Sequence, residues 1–99
     1  MSYYISGKMS DGDSEETTFE GFYEAEELLV GQGHEVFNPA ELDSEGGWEE
    51  CLARDLLWMV DNLPIMYMLV GWEGSRGAKL EYEMALQLGL EIEYEADNN

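Results

Sequence analysis

The chain has 99 residues, 44% of them hydrophobic, and its 23 acidic and four basic side chains give a formal net charge of −19. That length supports one core, and the apolar and aromatic content is too high for a disordered chain. The charge argues against direct binding of DNA or RNA, which needs a basic surface, and the single cysteine, Cys51, excludes an internal disulfide and a cysteine-based zinc site.

Residues 2–6 (SYYIS) are β-prone and end at Gly7, which predicts a first strand. Residues 10–16 read as a polar loop. Thr17 or Thr18 can cap a helix in which Phe19, Phe22, Tyr23, Ala25, Glu26, Leu29 and Val30 follow helical spacing up to Gly31 and Gly33. A short second strand over residues 34–37 leads into the turn at Asn38-Pro39. Residues 44–47 form a second loop, and a helix over residues 48–60 points Leu52, Leu56, Met59 and Val60 inward until Asp61 to Pro64 end it. The run IMYMLV at residues 65–70 is the most apolar in the chain and fits a central parallel strand covered on both faces. After a loop at residues 71–74, a last helix over residues 75–88 stops at Gly89, residues 90–94 form a fourth strand, and residues 96–99 are a tail behind a domain of residues 1–95.

The alternation β-α-β-α-β-α-β predicts an α/β domain of the Rossmann or flavodoxin-like kind. Its parallel sheet has about four strands and right-handed crossovers, with helices on both faces. Ligands of such sheets bind beyond the carboxyl ends of the strands. No apolar run reaches the length of a membrane span, and the start, Met1-Ser2-Tyr3-Tyr4, lacks a basic leader. A cytoplasmic protein with no membrane partner is expected (the host cytoplasm if it is viral). A chain this short is expected to self-associate as a homodimer or larger. The acidity suits a solubilising surface, a DNA mimic that occupies a basic protein, or another acidic partner surface.

Along the last helix, Gly77, Leu80, Met84, Ala85 and Leu88 share a stripe, and Glu81 falls near its middle, opposite Lys79 and Glu83. A carboxylate among apolar neighbours is a site candidate, because burial without partners disfavours its charged form. The alternative is that the first turns overhang the sheet edge and Glu81 meets water. Ser75-Arg76-Gly77 opens this helix, where free N–H groups and the dipole favour an anion. The same residues also read as a plain serine cap beside a surface arginine. Lys8 and Arg76, two of the four basic residues, fall after the first and third strands, at the edge where a ligand would bind. Asp55 is either a second carboxylate facing Glu81 or an exposed charge beside Arg54. Tyr4 is either core or part of the site.

At these residues the chain resembles the nucleoside 2-deoxyribosyltransferase superfamily, in particular a branch of short phage and bacterial proteins, and it is similar to the 2'-deoxynucleoside 5'-phosphate N-hydrolases. Tyr4-Ile5-Ser6-Gly7 resembles the opening strand of that family, Gly33 to Pro39 its second strand and turn, Asp55-Leu56-Leu57-Trp58 the helix with a catalytic aspartate, and Ser75-Arg76-Gly77-Ala78-Lys79-Leu80-Glu81 the nucleophile helix. The resemblance implies cleavage or transfer of the N-glycosidic bond of a nucleotide or nucleoside, with Glu81 as nucleophile, Asp55 as acid and Tyr4 orienting Glu81. It further implies that Ser6, Gly7, Lys8, Ser75, Arg76 and Gly77 hold the substrate and its phosphate, and that Trp58 or Trp72 stacks on the base. It implies no cofactor and no metal. Two other readings stay open: a non-catalytic protein that sequesters a nucleotide, and an acidic interaction protein.

Overall fold

A computed structural model describes residues 1–7, 19–39 and 48–95. Lys8, the cap at Thr17 or Thr18, the loops at residues 10–16 and 44–47 and the tail at 96–99 lie outside the described residues. Strands β1 (Ser2–Ser6), β2 (Glu35–Phe37), β3 (Ile65–Met68) and β4 (Ile92–Tyr94) alternate with helices α1 (Phe19–Gly31), α2 (Trp48–Asn62) and α3 (Arg76–Leu88). The strands form one parallel sheet in the order β2-β1-β3-β4, so the domain is α/β as the alternation predicts. No described helix is long and apolar enough to cross a membrane.

The strand order fixes which face each helix covers. The chain steps one way from β1 to β2 and the other way from β2 to β3 and from β3 to β4. A right-handed crossover therefore sends α1 to one face and α2 and α3 to the other. The core divides accordingly. Tyr3 and Ile5 of β1 and Ile65 and Tyr67 of β3 pack with Phe22, Ala25 and Leu29 of α1. Tyr4, Met66 and Met68 face the opposite way, onto Met59 of α2 and Ala85 of α3. The odd and even positions of the two central strands thus serve two cores, which is why β3 is apolar throughout.

The ends of the elements differ from the sequence reading. Helix α2 runs through Asp61 to Asn62 because both side chains lie on its exposed side; the chain turns at Leu63, whose φ is 45°, just before Pro64. Strand β3 ends at Met68; Leu69 still donates to the Ser6 carbonyl, but the chain then turns at Gly71, whose φ is 89°, and Val70 is exposed although apolar. A 3₁₀ turn, Trp72–Gly74, occupies the expected loop. Helix α3 stops at Gly89, whose φ of 73° favours a residue without a side chain and whose N–H caps the Ala85 and Leu86 carbonyls.

Gly7 follows β1 where the chain passes closest to Leu69. A Cβ built there stands 2.9 Å from both Cβ and Cδ1 of Leu69. Because Cβ is fixed to the backbone, Gly7→Ala is expected to push β1 and the end of β3 apart and to cost about 1–3 kcal/mol, read as a lower urea midpoint at unchanged slope.

Candidate functional site

The chain reverses its direction across the sheet between β1 and β3, and it is beyond the carboxyl ends of strands at such a point that ligands of open parallel sheets ordinarily bind. Two residues of β1, Tyr4 and Ser6, present their hydroxyls on the face covered by α2 and α3, two apart in sequence and so on one side of the pleat. Glu81 reaches them from the second turn of α3. Tyr4 donates to Glu81 Oε2 at 2.7 Å and Ser6 donates to Glu81 Oε1 at 2.7 Å. Each oxygen of the carboxylate thereby has one short hydroxyl donor, and Glu81 is only 7% exposed. Of the two sequence readings of Glu81, the structure shows the enclosed carboxylate. The stripe centres on Ala78, Glu81 and Ala85, with Leu80 on the exposed flank.

Asp55 of α2, also buried, is close enough to Tyr4 that its charge helps raise the phenol. The neighbouring Arg54 binds it through Nε at 3.2 Å and an Nη at 3.1 Å, both to Oδ1. Burial pushes the Asp55 carboxyl above its ordinary value, opposed by the bound Arg54 guanidinium and by the nearby Tyr4 hydroxyl. Burial also dominates at Glu81, whose carboxyl is pushed up to about 7 although Ser6 and Tyr4 stabilise its charged form; the Asp55 charge adds to the rise. Tyr4 is fully enclosed, and burial followed by the two adjacent carboxylates holds its phenol well above the ordinary tyrosine range.

Aromatic packing fixes Tyr4. Its ring stacks on Phe37 at 5.3 Å, and Trp58, three residues after Asp55 on α2, closes on Phe37 at 4.4 Å and on Tyr4 at 6.1 Å. Trp72 lies elsewhere, stacked on Tyr82 at 4.6 Å on the β4 side, where the Tyr82 and Tyr94 hydroxyls are 3.3 Å apart. Ser75, Arg76 and Gly77 stand at the amino end of α3, about 8 Å along the axis from Glu81 at the usual helical rise. Ser75 caps the helix, its Oγ accepting from the Ala78 N–H at 3.1 Å. Ser75→Ala is accordingly expected to remove about 1 kcal/mol of stability in thermal unfolding.

The structure thus brings Tyr4, Ser6, Asp55, Trp58 and Glu81 together and sets Ser75, Arg76 and Gly77 above them; Gly7 borders the group at the end of β1. Among the described residues no three His, Cys, Asp or Glu side chains cluster as metal ligands. Over residues 1–94 the chain matches the family model described as "Domain of unknown function (DUF4406)". The chain belongs to the DUF4406 family. No curated protein and no solved structure matches it.

Two features of this DUF4406 site go beyond the sequence reading. Ser6, expected among the substrate contacts, spends its hydroxyl on Glu81. Its place two residues after Tyr4 carries that signal, since both must share a face if one does. Arg54 was read only as a neighbour of Asp55. Adjacent helical residues do not ordinarily face each other, so no spacing rule points to this pair.

Proposed function

We propose that this protein cleaves or transfers the N-glycosidic bond of a (deoxy)nucleoside monophosphate or a related nucleotide, with Glu81 as nucleophile. The observation that carries this reading is the enclosed Glu81 with a hydroxyl donor on each oxygen and a second buried carboxyl, Asp55, near enough for its charge to act on Glu81. An N-glycoside breaks through an oxocarbenium-like state, which a fixed carboxylate can stabilise or trap as a glycosyl-enzyme while a second carboxyl protonates the departing base. The Glu81 carboxyl, pushed up to about 7, suits a group that exchanges protons near neutrality, and burial raises the Asp55 carboxyl as well.

The start of α3 supports a phosphorylated substrate. Its first turn presents backbone N–H groups to an anion, and Arg76 stands there, less than two turns from Glu81 on the same helix. Trp58 lines the Asp55 side, from which the base would depart. The reading takes the protein as a cytoplasmic homodimer or larger that needs no cofactor. The test is chromatographic: deoxynucleoside and ribonucleoside monophosphates, free deoxynucleosides and NAD are incubated with the protein and the free base is measured. Base release from a monophosphate in preference to its nucleoside is expected. Tight nucleotide binding without release would instead make the protein a sequestering one.

The net charge of −19 favours one reading of another class, an acidic surface that captures a basic protein. Such binding would weaken with salt and would survive Glu81→Gln.

A further inference from the structure

The reaction proposed above asks two things of Asp55. It must present a proton to the departing base, and its environment must tolerate the charge that remains once the proton has gone. Asp55 lies in α2 and is 7% exposed. Among the described residues, the charged and titratable groups that face it come from three elements. The Arg54 guanidinium comes from its own helix. Tyr4 of β1 and Glu81 of α3 are near enough for the charge of Asp55 to act on both. The β3 residues on this face, Met66 and Met68, are apolar.

Consecutive residues of a helix do not face each other, so an Arg54–Asp55 pair does not form by default. Arg54 nevertheless folds over its neighbour and binds it twice, through Nε–H at 3.2 Å and an Nη–H at 3.1 Å. Both bonds end on the same oxygen, Oδ1. A guanidinium only donates, so the two bonds occupy the lone pairs of Oδ1. A proton on Asp55 therefore belongs on Oδ2. The Arg54 side chain is 39% exposed against 10% for that of Asp55, so the cation keeps contact with water while the carboxyl does not. We propose that Arg54 is a positioning residue of the reaction, which by holding Oδ1 makes Oδ2 the one oxygen through which Asp55 exchanges its proton with the departing base. The inference rests on the N-glycosidase reading of the same site.

The steps then follow. The Glu81 carboxylate bonds C1', the C1'–N electron pair leaves with the base, and the base takes the proton from Oδ2. Asp55 becomes a carboxylate, and the charge it gains is one that Arg54 already faces. When water releases the sugar, its oxygen bonds C1', the bond from C1' to Glu81 breaks with its electron pair going to the carboxylate, and Oδ2 takes the proton of the water. A lysine in place of Arg54 would keep the charge but replace the fork of donors by a single ammonium. Charge and orientation can thus be separated by substitution.

The test compares the wild type with Arg54→Met and Arg54→Lys on 2'-deoxyguanosine 5'-monophosphate and on its 7-methyl derivative, whose base departs without being protonated. Both variants are expected to lose about 10²-fold in kcat on the ordinary nucleotide and to cleave the methylated one near the wild-type rate. Equal losses on the two nucleotides, or no loss on either, would overturn the proposal. The alkaline limb of kcat/KM on the ordinary nucleotide reports the acid. It should move up by about 1–3 pH units in Arg54→Met, where the opposite charge is gone, and stay in place in Arg54→Lys. Arg54→Lys keeps a cation beside the buried carboxyl, so its comparison of the two nucleotides decides even where Arg54→Met fails to fold. A second measurement needs no turnover: the carboxyl carbon signal of Asp55, assigned with Asp55→Asn, is followed against pH. Its midpoint should rise with the alkaline limb in Arg54→Met and hold in Arg54→Lys. An unmoved midpoint in folded Arg54→Met overturns the proposal whether or not either nucleotide is cleaved. The expected rise without base release from any nucleotide would support the hold of Arg54 on Asp55 and overturn the N-glycosidase reading.

Discussion

Replacement of Glu81 by glutamine is expected to lower base release by about a thousandfold or more, the scale on which loss of one member of a catalytic unit acts, with the fold retained. Glutamine has nearly the same shape. Its carbonyl oxygen can accept from one of the two hydroxyls that now hold Glu81, and its amide can donate to the other, since the Tyr4 and Ser6 hydroxyls can each accept as well as donate. No buried polar group is then left without a partner, which separates loss of chemistry from loss of structure. What the amide lacks is the charge that an oxocarbenium-like centre requires. The measurement is the initial rate of base release, beside circular dichroism and a thermal melt of the same sample. Turnover at the wild-type rate in a folded Glu81→Gln protein would remove Glu81 from the chemistry. Unfolding would instead make Glu81 structural, an outcome the alternating donors argue against.

The architecture was legible where pattern and physics coincide. The apolar run at residues 65–70 fits a strand covered on both faces, and its first four residues form β3, one of the two central strands of the sheet. The position of Glu81 within an apolar stripe left two outcomes open, an enclosed carboxylate or one that meets water at the sheet edge, and its side chain is enclosed. The ends of the elements were less legible, because apolarity reports burial and not hydrogen bonding. Leu69 is buried yet belongs to no strand, and Val70 is as apolar but exposed. In the site, Tyr4 and Ser6 could be placed together from the period of a strand. The Arg54–Asp55 pair could not, because it depends on the rotamers of two consecutive residues rather than on a spacing. Trp58 and Trp72 looked equivalent as candidates to stack on a base. Only the packing separates them, one against Phe37 and Tyr4 and the other against Tyr82.

The same burial that prepares Glu81 should make the fold more stable as the pH is lowered towards 5. The Glu81 carboxyl titrates at about 7 in the folded protein against 4.5 for an ordinary glutamate. Between those values the native state keeps a proton that the unfolded chain has released, so stability is gained as the pH falls from about 7 to about 4.5 and is lost as it rises again. At 1.36 kcal/mol per pH unit the gain amounts to about 3 kcal/mol. Asp55, whose carboxyl is also raised by burial, acts in the same direction. Relief of self-repulsion works that way too, since the chain approaches its isoelectric point near 4.1 and sheds negative charge as it does so. A control must therefore remove the same charge from a solvated position, and Glu83, exposed two residues further along α3, provides one. In urea unfolding at pH 8, Glu81→Gln should stabilise the protein by up to about 3 kcal/mol more than Glu83→Gln does. At pH 4.5 the difference should shrink towards zero, because the wild-type Glu81 is then neutral in the folded state as well. A buried carboxyl that weakens the fold at neutral pH is the trade expected of a functional site. Equal effects of the two substitutions at both pH values would mean that Glu81 is solvated, and the physical basis for its role as a poised nucleophile would be gone.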